Sequence, residues 1–245
     1  MENEAFKYPD TNSTRGKIEF LNRKFKKQRI AIIGMGGTGS YILDLVSKTP
    51  VKEIHIYDGD IFQLHNAFRA PGATAAERFD IDGTINKVDY YFEVYSKMHN
   101  GIIPHFKYIT EENINELGNI NYIFISVDKN KVRSMLMNGL LKMDIPFIDV
   151  GMGINMLEDS LLGTIRVTTG RKEKNDHIKN RIGSEEFDEN EYATNIQIAD
   201  LNCLNAVLAV IKWKKLSGFY QDLKNEHNSL FCINTNKLLN EDHTA

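Results

Sequence analysis

A chain of 245 residues suits one large α/β domain, and a formal net charge of −3 gives it no electrostatic attraction to nucleic acid or to an anionic membrane. Two cysteines without a Cys-x-x-Cys pair exclude a disulfide framework and a four-cysteine zinc site within one chain. No segment is apolar enough over a sufficient length to span a bilayer, and the polar residues 1–10 are unlike a secretory signal, which favours the cytoplasm.

The chain divides into an N-terminal extension, residues 1–28, and one domain over 29–245. Apolar residues recur at helical spacing near the end of the extension and predict a short helix over 16–28. The elements predicted next are a strand at 29–33, helix 38–48, strand 53–57, helix 84–99, strands 102–109 and 121–127, helix 129–143 and strand 146–150. Residues 61–83 lack a period, and so long a loop inside a compact domain is usually functional.

Strands and helices alternate over the first 150 residues, which predicts a parallel sheet with helices on both faces. Beyond that point the pattern changes to a strand at 161–168, an apolar helix at 198–216 and a short strand at 229–234. The charged segment 170–195 between them is predicted to be mobile. The fold class is therefore α/β: a Rossmann-like, mostly parallel, doubly wound sheet with an antiparallel C-terminal extension.

The first predicted strand leads directly into a glycine-rich turn, Gly34-Met-Gly-Gly-Thr-Gly39, and then into a helix. The spacing is G-x-G-x-x-G, with an extra glycine at Gly37. Gly34 permits the tight turn, Gly36 lets backbone N–H groups approach phosphate, and Gly39 lets the helix lie close to the strand. Phosphates then bind at the positive end of that helix, so the turn predicts a nucleotide site.

The residues after the second strand favour ATP over NAD. Asp58 ends that strand, where a carboxylate binds ribose hydroxyls in such folds, and Asp60 provides a second acid beside it. Further on, Asn66, Arg69 and Lys87 provide an amide and two cations. The backbone alone nearly suffices for the pyrophosphate of NAD, whereas a triphosphate under attack needs cations for the charge that develops on its oxygens.

Another carboxylate follows the strand 121–127. Asp128 stands where that strand ends, and ligands bind at the carboxyl ends of the strands in such sheets. Mg²⁺ prefers oxygen ligands and bridges phosphates, so Asp128 is a candidate magnesium ligand. Arg133, about one turn into the next helix, is predicted to be a structural ion-pair partner rather than a catalyst.

A family resemblance emerges from these stretches. The segment Ile56-Tyr-Asp-Gly-Asp-Ile-Phe-Gln-Leu-His-Asn-Ala-Phe-Arg69 resembles the region after the second strand in ThiF, MoeB and HesA proteins, the group that includes the adenylation domains of ubiquitin-activating enzymes. Lys87 in Ile-Asn-Lys-Val and Asp128 in Asp-Lys-Asn-Lys-Val-Arg fall in the family's order. The similarity covers roughly residues 29–170 and is weaker in the helix 196–216.

The resemblance implies roles position by position. The nucleotide-binding residues that it implies are Gly34, Gly36, Gly37, Gly39, Asp58, Asp60, Asn66, Arg69 and Lys87. It implies catalytic roles for Arg69, Lys87 and Asp128, and it makes Asp128 the Mg²⁺ ligand. Members of this family pair as dimers, and an N-terminal arginine of one subunit can reach the partner's ATP; Arg15 is the candidate here and Arg23 the alternative.

The activity that the resemblance implies is attack by a substrate carboxylate on the α-phosphate of ATP, which yields an acyl-adenylate and pyrophosphate. The carboxylate is expected to be the C-terminal glycine of a ubiquitin-like protein, or that of a peptide. Its flexible tail is expected to run past Gly151-Met-Gly-Ile154 and the strand 161–168. A non-catalytic nucleotide-binding partner and an NAD-dependent oxidoreductase remain the alternatives.

The sequence also departs from its relatives. Many relatives pass the acyl group to an exposed cysteine, but residues 170–195 contain none, and both Cys203 and Cys232 lie in elements that are predicted to be buried. Ala70 stands where relatives often have glutamine. His55, His65, His99 and His105 have no metal-ligand spacing. A thioester step is therefore not predicted.

Overall fold

The computed structural model describes residues 5–79, 85–181 and 196–244. Within these residues the helices are α1 (Thr11–Gly16), α2 (Glu19–Asn22), α3 (Gly37–Val46), α4 (Leu64–Ala67), α5 (Lys87–Tyr95), α6 (Asn130–Lys142), α7 (Ile178–Arg181) and α8 (Ala199–Leu216). The strands are β1 (Arg29–Ile33), β2 (Glu53–Tyr57), β3 (Ile102–His105), β4 (Tyr122–Ile125), β5 (Phe147–Leu157), β6 (Ser160–Gly170), β7 (Asn228–Cys232) and β8 (Lys237–Glu241). The described part of the chain contains no helix with both the length and the hydropathy needed to cross a bilayer.

All of these strands belong to one sheet with the order β3-β2-β1-β4-β5-β6-β7-β8. The first five strands are parallel, and β6, β7 and β8 add to them antiparallel. The predicted fold class is confirmed, including the antiparallel extension. Because β1 pairs with β2 on one side and β4 on the other, the strand order reverses at β1, and a crevice opens there at the carboxyl ends of the strands.

The core lies on both faces of the sheet, as expected for a doubly wound fold. Alternate residues of a strand point to opposite faces. Ile30 and Ile32 of β1 pack with α3, α5 and α8, where Trp213 is fully buried. Ala31 and Ile33 of the same strand pack on the other face with α6. Helix α8, predicted from its apolar run, is thus a core helix that packs mainly against α3.

Several elements differ from the prediction. The helix predicted over 16–28 is shortened to α2, Glu19–Asn22. A separate helix that was not predicted, α1, precedes it and ends where Lys17 adopts a left-handed conformation with φ of 54°. Strand β5 continues to Leu157 instead of stopping at Val150, since β6 pairs with it along its whole length despite the glycines. Strand β8 was not predicted, because its residues lack an apolar alternation and it is held by pairing with β7.

The two predicted loop segments are only partly described. Within 61–83, the structure shows α4 and a single 3₁₀ turn over Ala76–Arg78, and residues 80–84 lie outside the described residues. Within 170–195, residues 171–181 include α7, and the remainder of the predicted mobile segment, 182–195, also lies outside them. Helix α5 begins at Lys87 rather than at the predicted residue 84.

Candidate active site

A cleft of about 1410 Å³ opens at the carboxyl ends of β1, β2 and β4 and extends along the β5–β6 hairpin. Its wall includes side chains that are far apart in sequence, among them Asp58, Arg69, Lys87 and Asp128. The segment Gly151–Ile154 and two residues of β6, Thr164 and Arg166, form its far end, where the groove for a flexible tail was predicted. The sheet therefore brings the dispersed candidate residues to one site.

The glycine turn forms the base of this cleft. Gly34 has φ of +92°, and a Cβ there would overlap the carbonyl group of Ser126, so only glycine fits. A Cβ on Gly39 would overlap the carbonyl oxygen of Gly34, which explains how closely α3 approaches β1. A Cβ on Gly36 would meet nothing within 4 Å, because that residue faces the open cleft. The turn therefore offers Gly36 and the start of α3 to a ligand, while Gly39 serves packing and is not part of the cleft wall.

Helix α8 contributes two asparagines behind the turn that the sequence analysis did not identify. The Oδ1 of Asn202 accepts a hydrogen bond of 2.9 Å from the Thr38 hydroxyl, and its amide fits where Gly37 lacks a side chain. The amide of Asn205 donates to the carbonyl oxygen of Gly151 at 3.0 Å. Both side chains are buried and line the cleft. In sequence they stand three residues apart in an apolar helix, a pattern that indicates one shared polar side.

Asp58 is anchored by the backbone of the glycine turn. Its Oδ2 accepts a hydrogen bond of 2.7 Å from Met35 N, and its Oδ1 accepts one of 2.8 Å from Asp60 N. Burial raises the pKa of Asp58 above its ordinary value, against the opposing effect of the nearby Lys87 ammonium. The carboxylate therefore lies at a fixed position beside the turn, where a ribose is bound in folds of this kind.

Asp60 and Lys87 form an ion pair on the cleft wall. Lys87 Nζ lies 2.6 Å from Asp60 Oδ2 and 3.6 Å from Asp58 Oδ1, and Lys87 is only 7% exposed. Burial tends to raise the pKa of Asp60, but hydrogen bonds from Lys87 and Tyr108 outweigh it and hold the pKa below its ordinary value. Two carboxylates therefore hold the largely buried Lys87 side chain in place on the cleft wall.

Asn66 lies on α4, and Arg69 follows two residues after that helix ends. The Nε of Arg69 is buried without a hydrogen-bond partner in the described part of the chain, and no carboxylate there forms an ion pair with this guanidinium. Asn66 is buried, and its Oδ1 accepts a hydrogen bond of 2.8 Å from Gln63 N as part of a capping box on α4. The oxygen of Asn66 therefore serves the local turn, and its NH₂ group is the part suited to a phosphate oxygen.

Asp128 lies exposed on the cleft wall, in the short connection between β4 and α6. It does not cap α6, because the N-cap residue is Lys129 and that cap has no side-chain hydrogen bond. Among the described residues, no group donates a hydrogen bond to its carboxylate or pairs with it. Its oxygens are free to bind a cation.

Arg133 has the structural role predicted for it. Its Nε donates to Asp149 Oδ1 at 2.8 Å, and Arg166 Nη2 lies 2.5 Å from Asp149 Oδ2. Asp149 is completely buried, so one carboxylate joins α6, β5 and β6 beneath the cleft. The second arginine could not be identified from sequence, because Arg166 lies on a strand that pairs with β5 only in the folded chain.

The remaining candidates lie outside the cleft of their own chain. Arg15 is exposed on α1, and Arg23 is exposed directly after α2. Neither residue lines the cleft of its own chain, so neither is placed to contact a ligand bound there. Cys203 and Cys232 are half-buried rather than fully buried, which corrects the prediction. Burial raises the pKa of the Cys203 thiol, so its reactive thiolate form is disfavoured. His55 and His105 do meet across β2 and β3, but the described residues contain no group of three or more metal-ligand side chains.

Comparison with protein families identifies the chain. The model described as the ThiF family matches residues 15–169, which is more than half of the sequence. The chain belongs to the ThiF family. The predicted resemblance is thereby confirmed, and membership of the ThiF family supports an ATP-using activity of the adenylyltransferase type.

Solved structures place this ThiF-family chain among similar folds. PaaA has a TM-score of 0.69 and 16% identity, over 99% of this chain and 77% of its own. E. coli MccB, solved with ATP, has a TM-score of 0.70 and 16% identity, over 96% and 72% of the two chains. The microcin C7 biosynthetic enzyme MccB, solved with N-formylated MccA, has a TM-score of 0.68 and 15% identity, over 94% and 71%. Among curated proteins no sequence matches. At these identities the likeness establishes the fold.

Proposed function

We propose that this protein uses ATP to convert a C-terminal carboxylate of a protein or peptide into an acyl-adenylate, with release of pyrophosphate. A carboxylate oxygen forms a bond to the α-phosphorus while the bond from that phosphorus to the bridging oxygen of pyrophosphate breaks. Both negative charges of the reaction, on the attacking and the leaving oxygens, need cations close by. The observation that carries the proposal is the convergence of Arg69, Lys87 and Asp128 on the cleft of the glycine turn.

The residues of the cleft have the chemical character and the positions that ATP binding requires. Gly36 leaves the floor of the cleft open at the positive end of α3, a ten-residue helix, where phosphates bind. Arg69 has a guanidinium without a carboxylate partner in the described chain, and Lys87 is held at the same wall, so two cations face the phosphate position. Asp58 is fixed one strand away for the ribose. A bound phosphate could supply the hydrogen-bond partner that the Arg69 Nε lacks among the described residues.

Asp128 is the residue that we assign to Mg²⁺. Its exposed carboxylate has no hydrogen-bond or ion-pair partner among the described residues. Mg²⁺ in nucleotide sites is commonly held by one or two carboxylates together with phosphate oxygens and waters, so a cluster of protein ligands is not required. When bound, the ion would neutralise charge on the triphosphate.

The substrate side of the cleft favours an extended chain end. Bulky side chains are absent at three positions of this wall: Gly151 and Gly153 of β5 and Thr164 of β6. Arg166 adds a cation. E. coli MccB has been solved with AMPCPP and MccA together, so a related fold accommodates both molecules. We infer a peptide-like tail with a free carboxylate, and within that class the C-terminal glycine of a ubiquitin-like protein.

A homodimer belongs to the same proposal. Arg15 and Arg23 are exposed and outside their own chain's cleft, so either could act only in a partner's site. We propose that the protein pairs as its family does and that Arg15 contacts the partner's ATP. Cross-complementation between an Arg15→Ala chain and an Asp128→Ala chain in a mixed dimer tests this arrangement.

The decisive experiment measures ATP–pyrophosphate exchange with a candidate tail added. Exchange is expected only with the right carboxylate present, and Asp128→Ala is expected to abolish it while the far-ultraviolet circular dichroism stays unchanged. Asp159→Ala, which replaces an exposed acid at the tip of the β5–β6 hairpin, is the matched control and should retain exchange. Unchanged exchange in Asp128→Ala contradicts the assignment.

Two other functions make different predictions in the same assays. A non-catalytic partner would bind ATP but show no exchange with any carboxylate, since the chemistry would be supplied elsewhere. An NAD-dependent oxidoreductase would bind NADH more tightly than ATP with Mg²⁺. Arg69, whose guanidinium forms no ion pair among the described residues, and the exposed acid Asp128 favour the adenylyltransferase over the oxidoreductase.

A further inference from the structure

One exposed aromatic side chain in the cleft has no part in the catalytic proposal. Tyr108 stands three residues after β3 ends, and it is 60% exposed although it lines the wall beside Asp58 and Asp60. Ligand pockets are lined mainly by apolar and aromatic side chains, and an aromatic ring gains free energy when a ligand covers its face, so this ring is a candidate ligand contact.

The ring of Tyr108 is held in place from two sides. Its hydroxyl donates a hydrogen bond to Asp60 Oδ1, and Asp60 is itself bound to Lys87 through its other oxygen. The ring lies so close to Gly59 that a Cβ there would come within 2.6 Å of it. Gly59 therefore leaves room for the ring between the two acids of the Asp58-Gly59-Asp60 segment. An exposed ring fixed in this way has lost its conformational freedom before any ligand binds.

The order of the strands places this ring relative to the nucleotide. The phosphate site lies at the glycine turn after β1, and the ribose carboxylate Asp58 follows β2, which is the next strand in the sheet. Neighbouring strands are about 4.8 Å apart, so a nucleotide that extends in the same direction reaches the end of β3 with its base. Tyr108 lies in the loop directly after β3.

We infer that Tyr108 forms the surface on which the nucleotide base stacks. This inference rests on the proposed function, because it takes the phosphate and ribose positions from that assignment. Base–aromatic stacking tolerates any base, since every base has a π face, so Tyr108 increases affinity for nucleotides in general and does not select adenine. The hydroxyl acts through Asp60 to orient the ring and does not contact the base.

The test compares binding of ATP with binding of inorganic tripolyphosphate by isothermal titration calorimetry. Tyr108→Ala is expected to weaken ATP binding by about 5- to 150-fold, the range seen when a stacking side chain is removed. Its affinity for tripolyphosphate should equal that of the wild type, because the phosphate residues are unchanged. Tyr108→Phe keeps the ring and should retain most of the ATP affinity. Tyr8→Ala, which removes another exposed tyrosine outside the cleft, is the control.

Each outcome has a separate meaning. Equal ATP affinity in the wild type and Tyr108→Ala overturns the stacking assignment and leaves the proposed function standing. A loss of ATP and tripolyphosphate binding by the same factor also overturns it, because the variant would then have damaged the whole cleft. If Tyr108→Phe binds as weakly as Tyr108→Ala, the hydroxyl rather than the ring is responsible. A wild-type protein that binds neither ligand refutes both this inference and the proposed function.

Discussion

Asp149 offers the sharpest test of how the cleft is supported. Its carboxylate is completely buried and pairs with two arginines, Arg133 at 2.8 Å and Arg166 at 2.5 Å. Replacement with alanine removes the carboxylate that pairs with both guanidinium groups, whose side chains are 10% and 16% exposed. Arg133 keeps other partners, the side chain of Asn130 and two backbone carbonyls, but none of these carries a charge.

The expected cost follows from the burial. Removing one partner of a buried ion pair leaves an uncompensated charge and typically destabilises a protein by about 3–5 kcal/mol. A domain is stable by only about 5–15 kcal/mol, so Asp149→Ala should lose a large share of its free energy of unfolding. The exposed pair of Arg78 with Glu93 provides the contrast, because its side chains are 26% and 56% exposed and such pairs contribute about 0–1 kcal/mol.

Urea denaturation followed by circular dichroism measures the difference, with Glu93→Ala as the matched control. The midpoint for Asp149→Ala should fall well below that of the control while the slope with urea stays the same, since the surface exposed on unfolding is unchanged. A loss no larger than about 1 kcal/mol, the range of an exposed pair, would refute the view that this carboxylate holds β5, β6 and α6 together.

Two further predictions concern the glycine turn and the response to pH. Gly36→Ala should leave the free energy of unfolding nearly unchanged but weaken ATP binding, because its Cβ would meet no neighbouring atom. Gly39→Ala should destabilise the fold by about 1–3 kcal/mol, because its Cβ would overlap the backbone. Equal thermal stability of the two variants would contradict this prediction. His99 is buried, and burial lowers its pKa to about 4, so the unfolded chain takes up its proton first as the pH falls. Stability should therefore decline between about pH 6.5 and pH 4. His99→Gln should make that decline shallower, and an identical pH profile in the two proteins counts against the assignment.

Much of the site could be predicted from sequence because its signals are local. The glycines of the turn, Asp58 after one strand and Asp128 after another each stand beside a strand end that hydrophobic periodicity marks. The carboxyl ends of parallel strands lie at the same edge of the sheet, so predicting the strands also predicted that these residues lie close together. Gly39 has the packing role that the motif predicts, but it is absent from the cleft wall, where the resemblance implied a nucleotide contact.

The amino-acid sequence by itself determined the main helices and strands of the first 150 residues and the parallel arrangement of the first five strands, because hydrophobic periodicity and glycine positions act over a few residues. The resemblance of the segment Ile56–Arg69 to known proteins indicated the family. Only the tertiary structure decided which side chains meet. Lys87 pairs with Asp60, Tyr108 packs on Gly59, and Arg166 reaches Asp149, each across a separation that no local pattern spans. These contacts depend on strand order and register, which are set by the burial of the whole sheet.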